Sequence, residues 1–252
     1  MKKFIILILL ILNTLLTYSA TFPQETIVEG NMLYGKNQYD KAIEKYMSVL
    51  NQGYVAPELY YNLGNAYFKT EDYTQAIYYF EKSLKLNPSD ENASFNLKVC
   101  NTKIADKLEE VPQLFFKKWW TSLSHLMSLQ AFTILGIVMC FLFFISLALY
   151  LLSRTILLRK VFFYASIIFV FISAVSTLFA YNQYNDVNRS DNAIVFEPTL
   201  SVKSSPDDKG NDIFVIHQGL KVNITDQIGE WSEIRLSNGS KGWVKTSTCK
   251  AI

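Results

Sequence analysis

Tyr60-Tyr61-Asn62-Leu63-Gly64-Asn65-Ala66-Tyr67, then Thr70-Glu71-Asp72, then Ala76-Ile77-Tyr78-Tyr79-Phe80, is the stretch whose reading decides the fold. Leu59, Leu63 and Tyr67 recur at helical spacing, as do Ala76, Ile77, Phe80 and Leu84. Thr70-Glu71-Asp72 makes the turn between the two helices. Gly64 inside a helix costs about 1 kcal/mol against Ala. It is tolerable where a neighbouring helix approaches closely. Asn87-Pro88-Ser89-Asp90 ends the second helix and can cap a third. Working outward, the stretch repeats. Gly30, Tyr39, Ala42 and Tyr46 stand 34 residues before Gly64, Tyr73, Ala76 and Phe80. A fixed period of this length marks a repeat array. A third helix is expected over about Glu91 to Leu108, where Asn96-Leu97 echoes Asn62-Leu63 before the pattern departs.

The second copy, Tyr60-x-x-Leu63-Gly64-x-x-Tyr67, then Ala76-x-x-x-Phe80, then Pro88, resembles the tetratricopeptide repeat (TPR), with Tyr60 in place of the usual Trp. In the first copy Glu29 stands for the Leu and Leu33 for the aromatic. Residues 23–110 are thus expected to form two repeats and a capping helix, an all-α TPR solenoid of roughly minimal size. The resemblance implies a concave face built from the first helix of each pair. Its matching positions are Asn31, Tyr34, Tyr61, Asn65, Phe68, Lys69, Phe95 and Lys103. One reading is a peptide groove with aromatic walls and Asn65 and Lys69 as polar anchors. The other is that these residues pack against neighbouring chain.

Composition explains the rest of the layout. The 252 residues carry 24 Lys+Arg and 22 Asp+Glu, a net charge of +2, with 50% apolar and only 18% charged residues. So little net charge argues against nucleic acid, whose binding needs a basic surface. The apolar content excludes a disordered chain. The charge is segregated. Residues 1–20 and 113–181 hold basic residues and no acid, whereas 21–112 and 182–252 are mildly acidic. Soluble parts therefore alternate with apolar, basic ones.

Met1-Lys2-Lys3, the apolar run Phe4 to Leu12 and the small, polar Asn13 to Ala20 have the layout of a signal peptide over 1–20. Cleavage after Ser19 fits better than after Ala20; an uncleaved anchor is the alternative. No Asp, Glu, Lys or Arg lies between Lys118 and Arg154. Spans are expected over 131–152 and 161–181, each about 20 residues and long enough to cross a bilayer. Gly136, Ser146, Ala148, Ala165, Ser166, Ser173, Ala174 and Ser176 are candidates for close helix packing. The loop 153–160 carries Arg154, Arg159 and Lys160, so it is expected in the cytoplasm with both flanking modules outside. Lys117 and Lys118 pull mildly the other way. They lie in 113–130, read as an interfacial amphipathic helix with Trp119 and Trp120 at headgroup depth.

After a polar linker, Asn182 to Asn192, the pattern becomes short and alternating. Strands are expected around 200–206, 213–216, 221–224, 231–236 and 242–244, with a Ser237-Asn238-Gly239-Ser240 hairpin turn. The Val-Lys-Ser-x-Pro opening, the Trp-x-x-Ile-x-Leu strand and the terminal Gly-Trp-Val resemble the bacterial SH3-like domain, over 193–252. That resemblance implies an all-β barrel of a family associated with peptide and cell-wall binding. Trp231 and Trp243 read first as core or groove-edge packing, and second as a ligand platform on the barrel surface.

Chemistry-bearing motifs are missing. The sequence has no Walker loop, His-Glu-x-x-His, Gly-x-Ser-x-Gly or Cys-x-x-Cys. Its two His residues, His125 and His217, lack a nucleophile context, and Cys100, Cys140 and Cys249 fall in three different modules. No catalytic, cofactor or metal residue is therefore assigned. The module order resembles the BatE-type proteins of the Bat (Bacteroides aerotolerance) family. This implies a multi-pass protein of the bacterial cytoplasmic membrane with both soluble modules periplasmic. Other membrane or periplasmic proteins, Bat proteins among them, and cell-wall peptide are the implied partners. The expected role is a non-enzymatic scaffold linked to aerotolerance or envelope stress. The alternative is an envelope sensor acting through its two spans.

Overall fold

The computed structural model describes residues 23–107, 115–124, 126–189 and 191–252. The signal segment 1–20, residues 108–114 and His125 lie outside the described residues. The chain divides at Val55/Ala56 into two compact units.

In the first unit, α1 (Gln24–Gly35) packs on α2 (Tyr39–Asn51). Ala42, Tyr46 and Val49 are buried between them. The Tyr46 ring lies against the backbone of Gly30: a Cβ there would sit 2.5 Å from Tyr46 Cε1. The glycine is thus dictated by the ring it meets.

The second unit begins with α3 (Pro57–Lys69) and α4 (Tyr73–Leu86), which repeat that hairpin. Pro57 starts α3, where a missing N–H costs nothing. The Asp72 carboxylate caps α4 by accepting from Gln75 N at 3.0 Å. Gly64 meets Phe80 as Gly30 meets Tyr46, with its absent Cβ 2.7 Å from the ring. The turns match too, since Asn37 and Glu71, 34 residues apart, both have positive φ, 58° and 63°. Helix α5 (Glu91–Asn101) is capped by Asp90, which accepts from Asn92 N and Ala93 N. It stops at Asn101, short of the expected Leu108.

Two long apolar helices follow the short α6 (Phe115–Ser124): α7 (Leu129–Leu152) and α8 (Ile156–Asn188). Both are long and apolar enough to cross a membrane. They pack side by side. Ser146 Oγ donates to Phe162 O and Ser173 Oγ to Gly136 O, both at 2.9 Å. Gly136, Ser146, Ser166 and Ser176 are buried, whereas Ala148 and Ala174 face outward. Being small did not place those two alanines in the seam. The connection is only Ser153-Arg154-Thr155, so Arg159 and Lys160 lie in the first turns of α8. The expected 161–181 segment is the middle of this helix. Asn182–Asn188 continues it because the stretch is polar but has no Gly or Pro to break it. Gln183, buried, donates to the carbonyls of Ser124 and Met127 and ties the α6–α7 corner to α8. The Trp120 and Phe179 rings meet edge to face at 5.1 Å.

Seven strands form one antiparallel sheet: β1 (Asn192–Val195), β2 (Thr199–Lys203), β3 (Asp212–His217), β4 (Lys221–Ile228), β5 (Trp231–Arg235), β6 (Lys241–Lys245) and β7 (Cys249–Ala251). Their order is β3-β2-β6-β5-β4-β1-β7. Five correspond to the expected strands; β1 and β7 are additional and pair with each other, Ile194 opposite Lys250. Val202, Val222, Ile234 and Val244 centre the core, with Ala193 and Val195 of β1. Gly239, at φ 91°, makes the Asn-Gly turn between β5 and β6.

Candidate functional site

Two surfaces of the second unit hold most of the residues singled out by sequence, and a third lies between its helices and its barrel. On α3 and α5, Asn96 Nδ2 donates to Asn65 Oδ1 at 2.8 Å and reaches Tyr61 OH at 3.4 Å. Tyr61 and Asn65 are therefore brought together through Asn96, whose sequence signal is only its repeat echo of Asn62. The Phe68 ring packs against Tyr73 at 5.7 Å. Phe95 stands 66% exposed on α5, and Lys69 and Lys103 are exposed as well. Asn31 and Tyr34 belong to the first unit. There Asn31 Oδ1 accepts from Tyr46 OH at 2.7 Å, and burial raises the Tyr46 phenol to about 12. Tyr34 meets Tyr39 edge to face.

The second surface is the outer face of β5 and β6. Strand alternation sends Ser232, Ile234, Gly242 and Val244 inward, and Trp231, Glu233 and Trp243 outward. Neither Trp belongs to the core; both are half-buried. Of the first reading, core or groove-edge packing, the core part is thus excluded. Trp231 pairs across the ladder with Lys245 and Trp243 with Glu233. Lys245 Nζ lies 5.6 Å from the Trp231 ring and 2.9 Å from Asp208 Oδ1, and the Asp208 hydrogen bond raises the Lys245 pKa. The Thr225 hydroxyl donates to Glu233 and holds its carboxyl below the usual range, with Lys241 assisting.

The third surface is the seam between the helices and the barrel, which sequence reading missed entirely. Tyr78 of α4 meets Phe196 edge to face at 5.7 Å, and Lys250 Nζ lies about 5 Å from both rings. Lys221 Nζ bonds Glu81 Oε2 at 2.7 Å. Lys85 Nζ donates to Ile252 O at 2.5 Å and to Arg189 O at 2.6 Å, and burial lowers its pKa. Asp106, just after α5, accepts from His217 N at 2.6 Å and pairs with His217 Nδ1 at 2.9 Å. Beside that pair opens a cavity of about 520 Å³, lined by Tyr73, Thr74 and Lys103 on one side and Pro198, His217 and Gln218 on the other. One signal for the seam was present in the sequence. Ala76-Ile77-Tyr78-Tyr79-Phe80 is an unbroken apolar and aromatic run, whereas a helix with one free side needs only a stripe, and all five are buried. Among the described residues, no three His, Cys, Asp or Glu side chains converge as a metal site would require.

Comparison with known proteins supports this division. Residues 57–90 match the family model for the tetratricopeptide repeat, residues 30–71 match a second TPR repeat model, and residues 198–249 match the bacterial SH3 domain. Over 75 residues, 30% of this chain, the sequence is 33% identical to the BBSome complex member BBS4 homolog of Drosophila melanogaster. The aligned part spans 15% of that protein's length. The chain thus joins TPR-like helical repeats to a region matching a bacterial SH3 domain through two long apolar helices, a pair of modules that suggests protein–protein interaction.

Proposed function

We propose that this protein is a membrane-anchored, non-enzymatic scaffold that presents its TPR and SH3-like modules to protein partners on the periplasmic face of the bacterial cytoplasmic membrane. The observation that carries this reading is the hairpin of α7 and α8. Helix α6 enters it and β1 leaves it at the same end, so both modules belong to one side of a bilayer that the hairpin would cross. The basic residues Arg154, Arg159 and Lys160 gather at the other end, as expected for a cytoplasmic turn. The module order and its resemblance to BatE-type proteins favour partners within a Bat-type complex and a role in aerotolerance or envelope stress. The α3–α5 surface around Asn65, with Tyr61, Phe68, Lys69, Phe95 and Lys103, is the proposed docking face for a partner segment. Trp231 and Trp243 form a second face, suited to a protein or cell-wall peptide. The test is crosslinking in native membranes, comparing the wild type with Asn65→Ala/Lys69→Ala. Loss of a periplasmic or membrane-protein crosslink in the variant supports the docking face; an unchanged set of crosslinks refutes it.

A further inference from the structure

The period of the repeat places the second helix of a third TPR at residues 107–120, one period after α4. The sequence and the later elements give that position no second helix of a repeat. Pro112 falls within it, and the chain from Phe115 onward forms α6, which packs on α8. The face of α4 and α5 that it would cover is nevertheless not bare. Tyr78 is only 6% exposed and Ile77 is 1% exposed.

The barrel provides the cover. Strand β1 packs against α4. Its Ala193 and Val195 belong to the barrel core, while Ile194, pointing the opposite way, is fully buried too. Gly219, at φ 87° in the β3–β4 turn, comes so close that a Cβ there would sit 2.6 Å from Ile104 Cγ2. Leu84 of α4 and Leu97 of α5 face Asn192 and Ile252 across a small cavity. Around these apolar contacts stand an ion pair, Glu81–Lys221, and a hydrogen-bonded pair, Asp106–His217. Glu81 keeps only 13% of its side chain exposed, so its carboxylate relies on Lys221 in place of water.

We propose that the SH3-like barrel is the C-terminal cap of the TPR array, docked on the α4–α5 face where the second helix of a further repeat would pack. A repeat array needs such a cap because its last apolar face has no neighbour. The consequence is functional. The Asn65 face and the Trp231–Trp243 face ride on one body at fixed spacing, and are not tethered separately. The inference concerns the same two modules as the proposed function but does not rest on membrane orientation or on any partner.

The test is hydrogen exchange of the full chain in detergent. Glu81→Lys and Lys221→Glu each place like charges at the seam, and the double variant restores an opposite pair. Each single variant is expected to speed exchange over residues 73–101 by about tenfold as the cap loosens. The double variant should return it toward wild type, with β5 and β6 protected in all three. Phe196→Ala, outside the barrel core, should give the same signature without a change of charge. Wild-type exchange over 73–101 in the single variants and in Phe196→Ala overturns the proposal. So does a double variant no better protected than the singles.

Discussion

At the scale of the residue, the repeat is held by glycines whose absent side chains decide where an aromatic ring rests. Gly64 is the clearest. Its position is helical, so Ala would ordinarily gain about 1 kcal/mol. Here the added Cβ would lie 2.7 Å from both Cδ1 and Cε1 of Phe80, which is fully buried and has no room to swing. Overpacking of this kind costs about 1–3 kcal/mol. The overlap wins, and Gly64→Ala should lower the urea midpoint of the chain. A midpoint at or above wild type would show that Phe80 can give way and that the contact does not fix the hairpin. The glycine itself was readable from its 34-residue echo. Asn96 has such an echo too, in Asn62, but its role does not show there: its amide joins Tyr61 and Asn65 across two helices, and a side-chain hydrogen bond leaves no period in a sequence.

At the scale of the element, α5 shows how a buried polarisable group links fold to pH. Cys100 is fully buried in this helix, and burial pushes its thiol from 9.0 up to about 11. The folded state therefore resists ionisation that the unfolded state accepts. Stability from this source is intact below pH 9 and is lost as pH rises towards 11. At pH 10.5 the loss is on the order of 2 kcal/mol. Cys100→Ala should flatten that part of the decline, read as the difference in urea midpoint between pH 8 and pH 10.5. Equal declines in both proteins would remove the thiol from the account. Element legibility followed the same logic of surroundings. Helices α1 to α4 follow their period, and β2 to β6 their alternation and turns. Strands β1 and β7 escaped because they are short. In β1, three successive positions are buried, one face against the barrel core and the other towards α4, so its sequence shows no alternation. The end of α8 is not legible because Asn182–Asn188 is polar like a linker, although polarity alone does not end a helix.

At the scale of the whole molecule, the layout turns on three residues, Ser153-Arg154-Thr155, at the tip of the α7–α8 hairpin. A hairpin that crosses a bilayer puts this tip on one side and everything else that is soluble on the other. Arg154 is exposed there, with Arg159 and Lys160 within the next two turns, and no acid lies between Lys118 and Asp186 to offset them. Short basic tips are retained in the cytoplasm. The cap interface makes the opposite side more than a matter of charge counting. Glu81–Lys221 and Asp106–His217 join residues before the hairpin to residues after it, so the two modules cannot be divided between compartments while the seam is intact. The expected outcome is therefore all or none. In a chain with Cys100, Cys140 and Cys249 replaced by Ala, Lys209→Cys in the exposed β2–β3 loop and Lys69→Cys on α3 should both react with a membrane-impermeant maleimide in intact spheroplasts. Arg154→Cys should react only after permeabilisation. Labelling of Arg154→Cys alone in intact spheroplasts would reverse the orientation. Labelling of one module without the other would contradict both the hairpin topology and the docked cap.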